Sequence, residues 1–211
     1  MPFTFPRIYP ILDRSFLPEG DRETFIKGLG VHLTDAGVTL LEYRNKKGSD
    51  AEIIADCMAL RSAMPGVKLI LDDRADLVAQ IGFDGAHVDA GDISVAEARR
   101  VLGPERIVGT YGGTEAFLPG ILDEPADYFS IGPVGKTITK ETTKVPMGVE
   151  GVLRLRDAAG PEPILVAAGG VTLMNAAGVL RAGANVLAVA GGIFRTADPA
   201  AEFKRWMSVL G

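Results

Sequence analysis

The chain alternates short apolar runs with longer segments in which apolar residues recur at helical spacing. Most of the short runs are continuous over four or five residues. This is expected of strands that are buried on both faces in a parallel sheet, whereas a half-exposed strand would alternate apolar and polar residues. The runs predicted to be strands are residues 8–12, 39–43, 68–71, 85–88, 106–109, 128–131, 164–168 and 186–190.

The longer segments between these runs are predicted to be helices. Ser49 and Ser94 are placed to cap two of them, because a serine side chain accepts hydrogen bonds from the free N–H groups of a first turn. Gly103 ends the second of these two helices. Helices are predicted over residues 21–36, 50–64, 74–81, 95–102, 149–159, 172–182 and 199–209. A further helical segment, 112–122, is interrupted by Pro119 and Gly120.

Eight strand–helix units in 211 residues predict a (β/α)₈ TIM barrel, in the α/β class. We find no linker, low-complexity tract or short repeat, so residues 1–211 are predicted to form one domain. The alternative is a doubly wound open sheet, which usually has fewer strands and carries Gly-x-Gly-x-x-Gly after its first strand. That motif does not follow the first predicted strand.

Composition narrows the class of protein. The 22 Lys and Arg residues against 27 Asp and Glu residues give a net charge of −5, which argues against a nucleic-acid or membrane-surface binder. Hydrophobic residues make up 47% of the chain, which excludes wholesale disorder. The single cysteine, Cys57, cannot form an internal disulfide, and neither a signal peptide nor a transmembrane run is apparent. We therefore expect a cytoplasmic enzyme or small-molecule binder. The sequence does not decide between a monomer and a homo-oligomer.

Glycine pairs follow the last two predicted strands, at Gly169-Gly170 and Gly191-Gly192. Glycine at a strand-to-helix turn lets backbone N–H groups approach an anion closely, and TIM barrels often hold a phosphate in these two loops. The alternative is that the pairs only form tight turns.

Four carboxylates follow the third and fourth predicted strands: Asp72, Asp73, Asp89 and Asp92. Oxygen ligands suit Mg²⁺, which typically takes one or two protein carboxylates and completes its shell with water and substrate phosphate. Asp73 and Asp92 come from neighbouring strands and could share one ion. The alternatives are helix capping by Asp73 and a turn role for residues 89–92.

Basic residues follow the second strand and lie in the long loop after the sixth. Arg44 and Lys46 are two residues apart and could point the same way. Together with Lys140 they could bind a diphosphate, the arginine as a fork and the lysines as point charges. The alternative is a solvated charged loop.

Nucleophilic catalysis is not predicted. A Ser–His–Asp triad lacks support because the two histidines, His32 in a predicted helix and His87 in a buried strand, are interpreted as structural. Residues 130–137 approximate a P-loop, but Ser130 stands in place of its first glycine, and we reject this motif.

These strand-end residues resemble, in the same order, those of the thiamine phosphate synthase family over essentially the whole chain. The family's Gln-x-Arg-x-Lys, Asn-Asp and His-x-Gly-x-x-Asp motifs correspond to residues 42–46, 72–73 and 87–92. The most specific match is the sixth loop, where Gly-Pro at 132–133 is followed by Thr-x-Thr-Lys at 137–140.

The resemblance implies a TIM barrel that joins hydroxymethylpyrimidine diphosphate to thiazole phosphate, or its carboxylate, and releases pyrophosphate with Mg²⁺. In this family the CH₂–O bond of the pyrimidine ionises and the thiazole nitrogen captures the cation. By resemblance, the catalytic residues would be Arg44, Lys46 and Lys140. The pyrimidine diphosphate would contact Glu42, Arg44, Lys46, Asp72, Thr110 and Lys140. The thiazole phosphate would contact Thr137, Thr139, Gly170, Ala190 and Gly191. Mg²⁺ would be held by Asp73 and Asp92.

The chain departs from the family pattern at four places. Glu42 replaces Gln and Asp72 replaces Asn, which adds up to two negative charges near a diphosphate. Gly191 replaces a Ser that contacts the thiazole phosphate, and Gly112 stands where the fifth-strand motif has a His.

Two alternative functions remain open. One is an isomerase of thiazole phosphate resembling the related tautomerase, against which the missing His and the retained Thr-x-Thr-Lys motif argue. The other is a catalytically silent barrel that binds phosphates as a sensor or scaffold, for which Glu42, Asp72 and Gly191 would be the signature.

Overall fold

Eight parallel strands close into a barrel in the order of the sequence. The computed structural model describes residues 3–89, 91–137 and 143–211. The strands are β1 Ile8–Asp13, β2 Leu40–Arg44, β3 Lys68–Asp72, β4 Gly85–Val88, β5 Ile107–Gly113, β6 Tyr128–Ile131, β7 Leu165–Ala167 and β8 Val186–Val189. This confirms the predicted TIM-barrel fold.

Helices occupy the connections between the strands. They are α1 Arg22–Asp35, α2 Asp50–Ala63, α3 Val78–Ile81, α4 Val95–Leu102, α5 Gly148–Ala159, α6 Leu173–Arg181, α7 Gly191–Phe194 and α8 Pro199–Leu210. As predicted, Ser49 and Ser94 cap α2 and α4, and the Ser49 cap is reciprocated by the Glu52 side chain. Throughout the described residues, each helix is too short or too polar to cross a membrane.

The helix predicted over 112–122 is wrong. Strand β5 continues to Gly113, which bridges Phe117 in antiparallel fashion, and the only helical turn in the segment is the 3-10 turn Ile121–Asp123. Gly113 has φ +153° and Gly120 has φ +71°, conformations outside the right-handed helix. The short helix α7 was not predicted, because the glycines that begin it carry no apolar periodicity.

Alternate residues of each strand point into the barrel, and this sets where the polar residues lie. The interior layer consists of Tyr9, Leu40, Ile70, Ile107, Tyr128, Val166, Val186 and Ala188. Two residues beyond Leu40 and Ile70 come Glu42 and Asp72, which therefore share the interior face but lie nearer the carboxyl ends of the strands. The remaining apolar residues pack between the barrel and its helices.

Candidate active site

A cavity of about 520 Å³ opens at the carboxyl ends of the strands. That volume lies in the usual range for small-molecule sites. Seven of the residues predicted for substrate binding line it: Glu42, Arg44, Asp72, Thr137, Gly170, Ala190 and Gly191.

Arg44 and Lys46 lie side by side and are held by carboxylates. Nε of Arg44 lies 3.2 Å from Oδ2 of Asp72, and Nζ of Lys46 lies 3.2 Å from the same oxygen. Arg44 also donates to Asp13, and Lys46 to Asp73. Both cations are therefore held in place, Arg44 in the cavity lining and Lys46 beside the lining residue Asp72.

The carboxylates predicted to bind Mg²⁺ are adjacent. Asp73 and Asp92 interact through their side chains; burial raises the pKa of Asp73, Lys46 opposes this, and Asp92 raises it further. The N-cap of the turn that follows Asp73 is Arg74, which makes no side-chain cap hydrogen bond. Asp92 accepts a hydrogen bond from the backbone N–H of Asp89 at 2.8 Å, within the turn 89–92. Two neighbouring carboxylates, one of which has its charged form disfavoured, suit a cation.

This donor set fits Mg²⁺ in kind and number. Within 3–89, 91–137 and 143–211, no three His, Cys, Asp or Glu side chains are grouped to hold a metal. A pair of carboxylates is nevertheless sufficient for Mg²⁺, which keeps several waters and draws other ligands from substrate phosphates. Asp73 and Asp92 would therefore hold the ion together with a bound diphosphate.

A row of interacting side chains crosses the barrel and forms the base of the cavity. The Tyr9 hydroxyl donates to Oε2 of Glu42 at 2.6 Å and lies 3.1 Å from the Tyr128 hydroxyl. Nδ1 of His87 lies 3.1 Å from the same Tyr128 hydroxyl, and Nε2 of His87 lies 3.3 Å from Oδ1 of Asp89. We call these five residues the interior network. The sequence interpretation of His87 as structural missed that its ring lines the cavity.

Proton positions follow from the order of the interior network. Because Tyr9 donates to Glu42, Tyr128 donates to Tyr9, and its oxygen is left to accept from Nδ1 of His87. Nε2 of His87 faces a carboxylate, so both ring nitrogens carry protons. Burial opposes this charge, but Asp89, Glu42 and Asp72 raise the pKa of His87 to about 9.

The two acidic departures from the family pattern lie in this region. Burial, with repulsion from Asp72, raises the pKa of Glu42 to about 7, although His87, Tyr9 and Arg44 lower it. Burial also raises the pKa of Asp72, despite the attraction of His87 and Lys46. Much of the added negative charge is therefore neutralised by protonation or by adjacent cations.

Glu42→Gln is expected to remove a pH-dependent loss of stability. Burial raises the folded-state pKa of Glu42 from 4.5 to about 7, so its stabilising contribution is complete below the unfolded pKa and is lost as the pH rises through 7. Glutamine does not ionise. Between about pH 5 and about pH 8.5, wild type should therefore lose about 2–3 kcal/mol more of its free energy of unfolding than the variant does.

Urea unfolding at both pH values measures this difference. Glu162→Gln, at an exposed loop position, is the matched control and should parallel wild type. A Glu42→Gln variant that also parallels wild type would mean that Glu42 is ionised throughout this pH range.

Not every predicted residue lies at the cavity. Thr110 is buried beside it, and its hydroxyl donates to the carbonyl of Val88 at 2.9 Å rather than facing the cavity. Thr139 and Lys140 lie outside the described residues. Gly170 has φ +69°, and a Cβ there would lie 2.3 Å from the carbonyl carbon of Gly135, so this turn requires glycine.

Several cavity residues were not predicted from the sequence: Tyr9, Asp13, His87, Tyr111, Tyr128, Lys144 and Arg195. Strand parity could have identified two of them. Tyr9 and Asp13 are four residues apart on β1 and share its inward face, and Asp13 pairs in register with Arg44. Lys144 and Arg195 lie in loops, where periodicity gives no orientation.

Comparison with known proteins gives the family. The family model described as "Thiamine monophosphate synthase" matches residues 8–193. The chain belongs to this family. The thiamine-phosphate synthase of Koribacter versatilis is 37% identical over 207 residues, covering 97% of this chain and 96% of the relative. That of Agrobacterium fabrum is 36% identical over 179 residues, covering 82% and 81%.

Solved structures agree on the fold. The thiamine phosphate pyrophosphorylase from Pyrococcus furiosus superposes with a TM-score of 0.76 at 22% identity, covering 97% of this chain and 95% of that one. A 3-hexulose-6-phosphate synthase gives a TM-score of 0.70 at 18% identity, covering 98% and 100%. At these identities the superpositions show a shared barrel and no more.

Proposed function

We propose that this member of the thiamine monophosphate synthase family condenses hydroxymethylpyrimidine diphosphate with thiazole phosphate to give thiamine phosphate and pyrophosphate. The observation that carries the proposal is the cluster at the ends of β2 and β3. There Arg44 and Lys46 lie beside Asp72 and Asp73, and Arg44 and Asp72 line a cavity large enough for two heterocycles.

The leaving diphosphate is assigned to the cationic edge of the cavity. Arg44 offers a planar fork and Lys46 a point charge, and both are held in place before substrate binds. Negative charge grows on the diphosphate as the CH₂–O bond breaks, and preorganised cations stabilise that charge more than they stabilise the bound substrate. Lys140 is assigned to the same diphosphate by resemblance.

Asp73 and Asp92 are assigned to Mg²⁺. When bound, the ion would neutralise part of the charge on the diphosphate and on the departing pyrophosphate. Lys46 donates to Asp73, so the metal-binding carboxylate and the phosphate-binding cation are positioned together.

The aminopyrimidine is assigned to the polar wall formed by Glu42 and Asp72. Protonated Glu42 offers both a donor and an acceptor, as the amide of Gln would. Tyr9 fixes the orientation of this carboxyl group through its 2.6 Å hydrogen bond. A neutral carboxyl at this position also avoids repulsion of the diphosphate nearby.

The thiazole phosphate is assigned to the side formed by β6–β8. Thr137, Gly170, Ala190 and Gly191 line that side, and Thr139 is added by resemblance. Glycine turns here expose backbone N–H groups to an anion. Holding the thiazole nitrogen in line with the breaking bond is the second requirement of the reaction, and it needs no general base.

Pyrophosphate release tests the proposal. Purified protein should release pyrophosphate and form thiamine phosphate only when both substrates and Mg²⁺ are present, and EDTA should stop the reaction. Omission of each substrate in turn is the control. Binding of both substrates without release would contradict the proposal and favour the phosphate-binding sensor.

A further inference from the structure

The wall of the cavity carries different charges on its two sides. Its acidic lining residues come from the ends of β1–β4: Asp13, Glu42, Asp72 and Asp89. From β5 onward, the described lining residues include Lys136, Lys144 and Arg195 and no carboxylate. The side formed by β5–β8 therefore offers a second place where an anion can bind, apart from the Arg44 and Lys46 edge assigned to the diphosphate.

Among the three cations on the β5–β8 side, Arg195 lies closest in sequence to the glycine turn after β8. It directly follows α7, and its backbone N–H donates to the carbonyl of Gly191 at 3.2 Å, so the two residues lie one turn apart. Arg195 forms no ion pair with any residue in the described ranges, whereas Arg44 and Lys46 are both held by carboxylates. Its charge is available to a ligand.

An aromatic pair supports the Arg195 guanidinium. The guanidinium lies over the ring of Phe16, 5.4 Å from its centroid. Phe16 in turn stacks on Phe194, with centroids 5.9 Å apart and planes 24° apart. Stacking on a ring face restricts the side chain yet leaves the N–H donors at the guanidinium edge free, which suits bidentate binding of a phosphate.

We propose that Arg195 binds the phosphate monoester of the second substrate, so that it is a specificity residue that favours phosphorylated over unphosphorylated thiazole. This inference rests on the proposed function. The neighbouring Gly191 offers only its backbone N–H, and Arg195 supplies the side-chain contact that a glycine lacks. A guanidinium fork and glycine N–H groups together can surround a phosphate dianion.

Calorimetric binding of thiazole phosphate and of the corresponding unphosphorylated alcohol tests the inference without requiring turnover. Arg195→Ala should weaken binding of the phosphate about 10- to 100-fold and change binding of the alcohol less than about 2-fold. Phe16→Leu should weaken binding of the phosphate about 2- to 5-fold by removing the stacked support. Arg181→Ala removes one positive charge from α6, outside this cavity, and should match wild type.

Two outcomes would overturn the inference. In the first, Arg195→Ala binds thiazole phosphate as tightly as wild type does. In the second, Arg195→Ala loses affinity for the phosphate and for the alcohol by the same factor. The second outcome would mean that Arg195 shapes the cavity but does not contact the phosphate. The proposed function is tested separately by pyrophosphate release from wild type. A wild type that binds thiazole phosphate through Arg195 but releases no pyrophosphate would refute that function and leave this inference standing.

Discussion

Asp73→Asn should lower turnover at least about 100-fold, equivalent to about 2.7 kcal/mol of transition-state stabilisation. The proposed Mg²⁺ site would lose one of its two carboxylates, and Lys46 would lose a charged partner. Asparagine is preferred to alanine because Asp73 has φ +68°, a left-handed conformation that asparagine tolerates and alanine does not. The expected loss is therefore in catalysis and not in folding.

Steady-state pyrophosphate release over a range of Mg²⁺ concentrations measures the effect, and thermal unfolding checks the fold. Asp76→Asn is the matched control. Asp76 is an exposed aspartate three residues further along the chain, paired with Arg74 at 2.7 Å and absent from the cavity wall. If Asp73→Asn kept wild-type turnover and the same dependence on Mg²⁺, Asp73 would not be a metal ligand.

The barrel could be predicted from the sequence because its strands are short, apolar and separated by clear helix signals. The observed β4 and β6 match the predicted 85–88 and 128–131 at both ends, and Ser49 and Ser94 cap the helices they were predicted to cap. These features are local, since a run of apolar residues and a capping serine act within a few positions of the chain.

The connection after β5 shows where local reasoning fails. Residues 112–122 contain helix-compatible positions, but Gly113 extends β5 and pairs with Phe117 across a tight turn. That pairing is favoured by the neighbouring strand and by glycine geometry, neither of which the helical pattern reveals. The same limit explains α7, whose four residues begin with a glycine pair.

The interior network was missed for a different reason. Tyr9 and Tyr128 lie in apolar runs and were counted as strand residues, and His87 was interpreted as structural for its position in a buried strand. Only the closed barrel brings β1, β4 and β6 close enough for these side chains to bond across its interior. Non-local contacts of this kind need the topology as well as the pattern.

The acidic departures show how the sequence and the structure complement each other. Glu42 and Asp72 looked costly beside a diphosphate when only their charges were known. In the fold, Glu42 is buried against Tyr9, while Asp72 lies between Arg44 and Lys46. Burial favours the neutral form of both carboxyl groups, and the two cations beside Asp72 balance the charge that it keeps. The two substitutions therefore need not oppose phosphate binding.

Gly109→Ala should destabilise the protein by about 3 kcal/mol and disturb the interior network. A Cβ at this position on β5 would lie 1.9 Å from Cζ of Tyr128 and 2.3 Å from its hydroxyl oxygen. The Tyr128 ring is fully buried, and its hydroxyl bonds both Tyr9 and His87, so it cannot move without breaking those contacts. For a chain of this size, such a loss lowers the midpoint of thermal unfolding by about 6–12 °C.

Urea and thermal unfolding measure this loss, with Gly28→Ala as the matched control. Gly28 lies in α1, and nothing lies within 4 Å of the position that a Cβ would take there, so alanine should stabilise the helix by about 0.5–1 kcal/mol. The changes in the free energy of unfolding are expected to have opposite signs in the two variants. This difference separates the lack of space at Gly109 from any general effect of replacing glycine by alanine. Equal stability of the two variants would mean that Tyr128 can shift freely. The interior network would then not be the rigid base of the cavity that its hydrogen bonds indicate.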